Sequence, residues 1–350
     1  MVAITPEILN VSNVVRIFVV VAVSFFVTLI LTPLWTKILF RFKLGKQLRS
    51  PDSAPVFHEL HKRNEGTPTM GGVLIWGTVV LLTLVFYVTD YNFLSRGQTW
   101  LPMGVLIFAG ILGGVDDLFG VLRRGPNGGG MEMKLRWLLY LIIATISAWW
   151  FYYKLEFQTI NIPFIGDVSF GGWYLLFFIF IIVSTAFSAN ETDGLDGLAG
   201  GIFLTMFGAY GVIAFDQGRM DLVVFIGAII GSLVAFLWFN IFPARFFMGD
   251  TGSMSLGVVL GVIAMLTNTP FLLIPIGCIF VIESLSVIVQ KISKKLTGKK
   301  LFLSTPIHHH FEAKGWHETK VTMRFWMVSA IGAIIGIIIF LIDSKLPPLL

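Results

Sequence analysis

Acidic residues recur in short clusters at the edges of apolar runs, where charge is costly unless something uses it. The stretch "SANETDGLDGLAGG" (188–201) holds Glu191, Asp193 and Asp196 between two lipid-like segments. "GGVDDLFG" carries the adjacent pair Asp116 and Asp117, "FNIFPARFFMGDTGS" carries Asp250, and "TPIHHHFEAKGWHE" carries His308, His309 and His310. Each cluster has a plain reading. Asp favours helix N-caps and Gly favours turns, a helix-end acid pair can be solvated, and three histidines can form a surface turn. The chemical reading starts from repulsion: adjacent carboxylates oppose each other unless a cation or a proton joins them. Many acids, few compensating charges nearby and an oxygen-only donor set favour a hard cation, Mg²⁺ or Mn²⁺, over zinc. Neighbouring histidines on one short segment rarely converge on a single ion, so a site built on the three alone ranks below that. Mg²⁺ usually holds phosphate oxygens along with one or two carboxylates, and flanking Lys and Arg clamp phosphate. These residue types suit a phosphorylated substrate.

The elements that must position them are membrane helices. Of the 350 residues 56% are hydrophobic and only 13% charged, about half the charged fraction of a water-soluble chain. The composition predicts an all-α polytopic membrane protein. Apolar stretches of roughly 20 residues match the thickness of the hydrocarbon core, and about ten are legible: 14–40, 71–90, 100–119, 135–153, 172–188, 198–215, 221–242, 252–268, 271–290 and 321–342. The first is too long for a signal-peptide core and lacks a small-residue cleavage site, so it reads as a span. Gly-rich ends such as "GGVLIWG" and "ILGGVDD" predict close helix packing. The single cysteine, Cys278, excludes an intramolecular disulfide framework. No repeat or soluble domain is visible.

The connections alternate in charge. Loop 41–70 holds Arg41, Lys43, Lys46, Arg49, Lys62 and Arg63; loop 120–134 holds Arg123, Arg124 and Lys134, with Arg136 just inside the next span. Loop 291–320 holds Lys291, Lys294, Lys295, Lys299, Lys300, Lys314 and Lys320. The opposite connections offer only Arg96, Lys154 and Arg219. The positive-inside rule puts the basic loops in the cytoplasm and both termini outside, and all four polar clusters then fall at the inner boundary. The alternating stretch 155–171, around Pro163 and Gly166, predicts a short exterior β-hairpin. The net charge of +5 is distributed as in a membrane protein, and no nucleic-acid partner is expected.

Seven segments together resemble one family. "GTPTMGG" (66–72), "DD" (116–117), "NETDGLDGLAGG" (190–201), "LWFN" (237–240), "FFMGDTGS" (246–253), "ESLSVIVQ" (283–290) and "PIHHHFE" (306–312) are similar to the motifs of the phospho-N-acetylmuramoyl-pentapeptide transferases, in family order and spacing. These belong to the polyprenyl-phosphate N-acetylhexosamine-1-phosphate transferases. The resemblance implies one integral membrane transferase domain over 1–350, usually dimeric, in the bacterial inner membrane with a cytoplasmic-face active site. It implies transfer of phospho-MurNAc-pentapeptide from UDP-MurNAc-pentapeptide to undecaprenyl phosphate within the lipid, giving lipid I and UMP, with Mg²⁺ (or Mn²⁺). Carried over by position, Asp250 resembles the metal ligand. Asp116 and Asp117 resemble the catalytic pair, and Asp193 a further active-site acid. Gly194, Leu195, Asp196, Asn240 and Phe247 resemble the uridine pocket, with Phe247 stacking on the base. His308, His309 and His310 resemble the histidine motif lining the site, and Thr69 and Asn190 match further polar cleft positions.

The chain departs from the family pattern at Asn64 and Gly120, where lysines are common, and at Phe187, Glu191 and Lys299. The departures touch phosphate and uracil contacts, not the carboxylate core. Two other readings are weighed against this one. A sister enzyme would pass GlcNAc-1-phosphate to the same lipid, but GTPTMGG and the histidine run are more specific to the muramoyl-pentapeptide branch. A secondary transporter would place its charges near the midplane, often in repeated halves, and here they gather at one face.

Overall fold

The computed structural model describes residues 11–45, 66–89, 97–125 and 130–345. Lys46, Arg49, Lys62, Arg63, Asn64 and Arg96 lie outside the described residues. The chain is a helix bundle with one small hairpin: α1 (Val11–Arg41), α2 (Gly72–Thr89), α3 (Gly97–Val121), α4 (Met133–Tyr153), β1 (Thr159–Ile162), β2 (Gly166–Ser169), α5 (Trp173–Thr192), α6 (Leu198–Asp216), α7 (Met220–Asn240), α8 (Asp250–Leu266), a short turn of helix α9 (Leu273–Ile276), α10 (Cys278–Thr297), α11 (Ile307–Ala313) and α12 (Glu318–Asp343). Seven of the described helices are long and apolar enough to cross a membrane: α1, α3 to α7, and α12. The outer faces of α1 and α12 carry exposed Phe18, Phe26, Ile30, Met327, Ile331 and Ile338, the surface that lipid accepts and water does not.

The expected span 271–290 is not one straight helix. It breaks between Ile276 and Cys278, and the segments Pro270–Ile276 and Cys278–Thr297 meet at 86°. Pro275 cannot donate a backbone hydrogen bond, and Gly277 follows it at the bend. Two further expected spans form shorter apolar helices, Gly72–Phe86 and Asp250–Leu266.

The last of these, α8, is the hub. Every residue from Thr251 to Leu266 is buried, as expected for a helix that is apolar all round, and α3, α5 and α2 pack around it. Two glycines let neighbours approach its first turn. A Cβ on Gly113 of α3 would run into the carbonyl of Asp250, and one on Gly72 of α2 would strike the backbone of Gly252. Those contacts set Asp116 and Asp117, one turn beyond Gly113, beside the start of α8. The first helix adds a polar seam at four-residue spacing. Ser24 Oγ donates to the Ala228 carbonyl on α7 (2.6 Å), and Thr28 Oγ1 donates to Thr78 Oγ1 on α2 (3.0 Å).

The hairpin forms at the expected place, pairing Thr159 with Ser169 and Ile162 with Gly166 in antiparallel register. Asn161 N–H donates to Asn268 Oδ1 (3.1 Å), beyond the end of α8, and Phe164 N–H donates to Asp343 Oδ1 (2.6 Å) at the end of α12. It therefore sits at the opposite end of the bundle from the first residues of those helices.

Gly113→Ala is expected to destabilise the protein by about 1–3 kcal/mol, because the added methyl meets backbone rather than a movable side chain. Gly104→Ala, on the same helix and with open space around it, should be neutral or stabilising, since Ala favours helix over Gly. Thermal unfolding followed by tryptophan fluorescence compares the two. Equal midpoints would remove Gly113 from its packing role.

Candidate functional site

Alternate helix ends meet at one end of the bundle, and the chemistry-bearing residues meet there with them. The centre of the arrangement is the N-terminus of α8. Its N-cap, Gly249, has no side chain to cap the first amides. Asp117 caps from another helix: Thr251 N–H donates to Asp117 Oδ2 (3.0 Å), while Thr69 Oγ1 donates to Asp117 Oδ1 (3.1 Å). A carboxylate at a helix N-terminus gains from both the free N–H groups and the helix dipole. Gly249 has φ +75°, and any side chain there would press on Asp117 and Thr69.

Asp116 is buried and faces the other way. Met131 N–H donates to its Oδ1 (2.5 Å), and Arg136 Nε stands 2.5 Å from its Oδ2. The same guanidinium reaches Asp250 Oδ2 at 3.2 Å, so one cation is shared between two carboxylates. Asn190, near the end of α5, donates its Nδ2 to Asp250 Oδ1 and lies 3.4 Å from Ser253 Oγ. Thr69, Asp116, Asp117, Asn190 and Asp250 are thus brought into one connected group; the acids stood out by residue type, Thr69 and Asn190 by the resemblance. Arg136 belongs to it as well, a residue that sequence reasoning placed only among the basic flanks. Its signal was a lone cation inside an otherwise apolar run.

A second group hangs from the turn after α5. Asp193 caps α5, Gly197 takes φ +74°, and α6 starts at Leu198. Leu195 and Asp196 are buried. Asp196 N–H donates to Glu318 Oε1 (2.8 Å) on α12, and Asp196 Oδ2 accepts from Ala244 N–H (2.8 Å). Asn240 uses both ends of its amide: Oδ1 accepts from Gly197 N–H (3.1 Å) and Nδ2 donates to the Phe246 carbonyl (2.9 Å). Asp196 and Asn240 therefore hold the turn against the 241–249 loop, with Leu195 buried beside them in sequence. Phe247 follows directly, half-buried, with its N–H on the Pro68 carbonyl (2.8 Å) and its own carbonyl accepting from Gly71 N–H (2.8 Å).

The three histidines face three different partners. His308 Nδ1 is 3.0 Å from Glu283 Oε1, and the Nε2 edge of the ring lies where a Cβ on Gly194 would be. His309 Nδ1 is 2.7 Å from Glu312 Oε2 on the same short helix. His310 Nδ1 accepts from Leu303 N–H (3.1 Å), and partial burial together with the Lys314 charge holds its pKa below the usual imidazole range. Acceptance at Nδ1 and the lowered pKa both favour the neutral ring. Glu283 opens the segment ESLSVIVQ, and its sequence surroundings give no sign of its partner His308.

The donor chemistry can be tested against a metal. Among the described residues no group of three or more His, Cys, Asp or Glu forms a finished cage. Asp116 Oδ2 is buried without a hydrogen-bond partner, although Arg136 Nε is at ion-pair distance. Carboxylate oxygens neutralised by one shared cation fit a hard divalent ion that keeps several waters and takes its remaining ligands from substrate phosphate.

Comparison with known proteins gives the same direction. A family model described as glycosyl transferase family 4 matches residues 99–268, and the phospho-N-acetylmuramoyl-pentapeptide-transferase signature 1 matches residues 65–75. The chain is 41% identical over 326 residues to the phospho-N-acetylmuramoyl-pentapeptide-transferase of Geobacillus thermodenitrificans, covering 92% of this chain and 97% of that protein. It is 39% identical to the protein of that name from Listeria monocytogenes (90% and 95% covered) and 36% identical to that from Chloroflexus aurantiacus (95% and 91%).

Arg136→Gln should leave Asp116 and Asp250 facing each other without their shared cation. A cost of about 2 kcal/mol is expected, discounted from a fully buried pair because the guanidinium is partly exposed. Millimolar Mg²⁺ should raise the melting temperature of Arg136→Gln more than that of wild type. Identical melting curves, with and without the ion, would refute the shared-cation arrangement.

Proposed function

The chain belongs to the phospho-N-acetylmuramoyl-pentapeptide transferase family, and from that premise we propose that its transfer reaction runs at the polar end of the bundle, around Asp116, Asp117 and Asp250. The enzyme is a phosphoglycosyl transferase. It passes phospho-MurNAc-pentapeptide from its UDP carrier to undecaprenyl phosphate and releases UMP, leaving lipid I in the membrane. The observation that carries the placement is the single connected group that joins Thr69, from the signature segment, to three carboxylates on two helices.

A lipid phosphate oxygen attacks the sugar-bearing phosphorus of the donor. A new P–O–P link forms as the bond to UMP breaks. Asp116 or Asp117 takes the proton of the lipid phosphate, and attack is direct, since the reaction asks mainly for positioning and charge neutralisation. A divalent cation, Mg²⁺ or Mn²⁺, would be held by Asp250 with the neighbouring carboxylates and would neutralise the donor diphosphate. Arg136, freed from one carboxylate, clamps phosphate. Gly194, Leu195 and Asp196 form the floor of the uridine pocket, supported by Asn240, with Phe247 as the aromatic face. Asp193, His308, His309 and His310 line the side toward the sugar diphosphate.

Counting the bent pair and the two short apolar helices as spans, beside the seven long ones, gives ten. With Lys291, Lys294, Lys295 and Lys299 at the site's end of α10, that end is cytoplasmic, both termini are outside, and the membrane is the bacterial inner membrane. A homodimer fits the family. Transport is disfavoured because Asp116, Asp117 and Asp250 gather at helix ends rather than in the middle of spans, and the GlcNAc-1-phosphate reading is disfavoured by the signature match.

Purified protein in lipid nanodiscs should release UMP from UDP-MurNAc-pentapeptide only when undecaprenyl phosphate is present, and not from UDP-GlcNAc. Asp250→Asn should lower the rate by at least about 100-fold, the loss of several kcal/mol of transition-state stabilisation. UMP release from UDP-GlcNAc alone, or full activity in EDTA, would overturn the reading.

A further inference from the structure

Glu283 is the only acid in α10, on a segment that reads "CIFVIESLSVIVQ". It lies on the buried face with Ile279, Phe280, Val287 and Gln290, and neither it nor His308 has any exposed surface. An acid so placed in an apolar helix is expensive unless it is used. Its Oε1 is 3.0 Å from His308 Nδ1, and its Oε2 has no hydrogen-bond partner among the described residues. The pair is not an exposed ion pair that solvent could replace.

We propose that Glu283 is a positioning residue for the transfer, holding the proton of His308 on Nδ1 and thereby fixing the Nε2 edge of that ring against the Gly194 turn. The inference rests on the transferase reading for what the turn does, and on geometry for the rest. When ionised, Glu283 can only accept, so the ring nitrogen facing it then carries the hydrogen, and the opposite nitrogen is left with its lone pair in the neutral ring. That opposite nitrogen is the atom nearest to a Cβ built on Gly194, in the turn between Asp193 and Asp196. The histidine is thus held between Glu283 of α10 and the turn that carries Asp193.

The neighbouring histidines mark the contrast. His309 pairs with Glu312 three residues away and stacks edge-on against His308, with ring centroids 4.0 Å apart. It buttresses the ring from within α11. His310 accepts at Nδ1 from Leu303 N–H, so its neutral ring carries the hydrogen on Nε2, the opposite tautomer. His308 takes its orientation from another helix, through a partner 25 residues away in sequence.

The test uses the full-length protein in nanodiscs, with histidine ring nitrogens labelled and His308 assigned by comparison with His308→Gln. Wild type should show His308 protonated at Nδ1, and Glu283→Gln should lose that single state. Glu283→Gln should lower kcat by at least about 10-fold, the size expected when a histidine loses its orienting carboxylate, with KM for the UDP donor and the melting temperature near wild type. Glu283→Asp, which keeps the carboxylate on a shorter arm, should recover part of kcat. Three results would overturn the proposal: an unprotonated Nδ1 on wild-type His308, unchanged kcat in Glu283→Gln, or loss of kcat and stability together with no recovery in Glu283→Asp. The wild-type spectrum needs no variant of Glu283, so a variant that fails to fold does not spare the idea. A wild type that releases no UMP would remove the transfer reading, while the nitrogen spectra would still decide the Glu283–His308 pairing.

Discussion

Three carboxylates held within reach of one another at the edge of an apolar bundle repel, and each loses hydration that only a hydrogen bond or a counter-charge can replace. The surrounding structure supplies those replacements one by one. Asp117 takes the free amides at the start of α8 and the Thr69 hydroxyl; Asp116 takes Met131 N–H and Arg136; Asp250 takes the other side of Arg136 and the amide of Asn190. Five separate chain segments are drawn to one point by this requirement. The helix that bears Asp250 is the most deeply buried in the bundle, so the point is fixed relative to the whole.

The same end of the molecule is rigid for a second reason. The turn from Asp193 to Gly197 is stitched to α12 through Glu318, to α7 through Asn240, and to the 241–249 loop through Ala244. Asn190 lies on one side of that turn and Gly194 within it, so α5 and its turn link the carboxylate group to the histidine helix. A substrate spanning both would meet groups whose spacing is set by packing rather than by loop motion, which is what positioning catalysis demands.

Much of this was legible in the residues. Apolar length located nearly every helix, and the alternation around Pro163 and Gly166 located the hairpin. The gathering of Asp116, Asp117 and Asp250 followed from lone acids beside apolar runs. The break at Gly277 had its warning in "IPIGC", but a hydropathy window averages across a proline and a glycine. Arg136 and Glu283 were visible as isolated charges in spans, yet their partners are not neighbours in sequence. Asp117 reaches an amide 134 residues away and Asp196 a carboxylate 122 away, and one sequence does not state such pairings. The scaffold uses of Asp196 and Asn240 were hidden for a related reason: their partners include backbone groups, which have no residue type to read.

The account turns on the carboxylate group being a cation and diphosphate site rather than a set of helix caps. Binding of Mn²⁺ to the detergent-solubilised protein, followed by electron paramagnetic resonance in the presence of UDP, addresses that directly and needs no turnover. The wild type should bind one ion tightly, and Asp250→Asn should lose that site while keeping its fold. Equal Mn²⁺ binding by the two proteins would contradict the account.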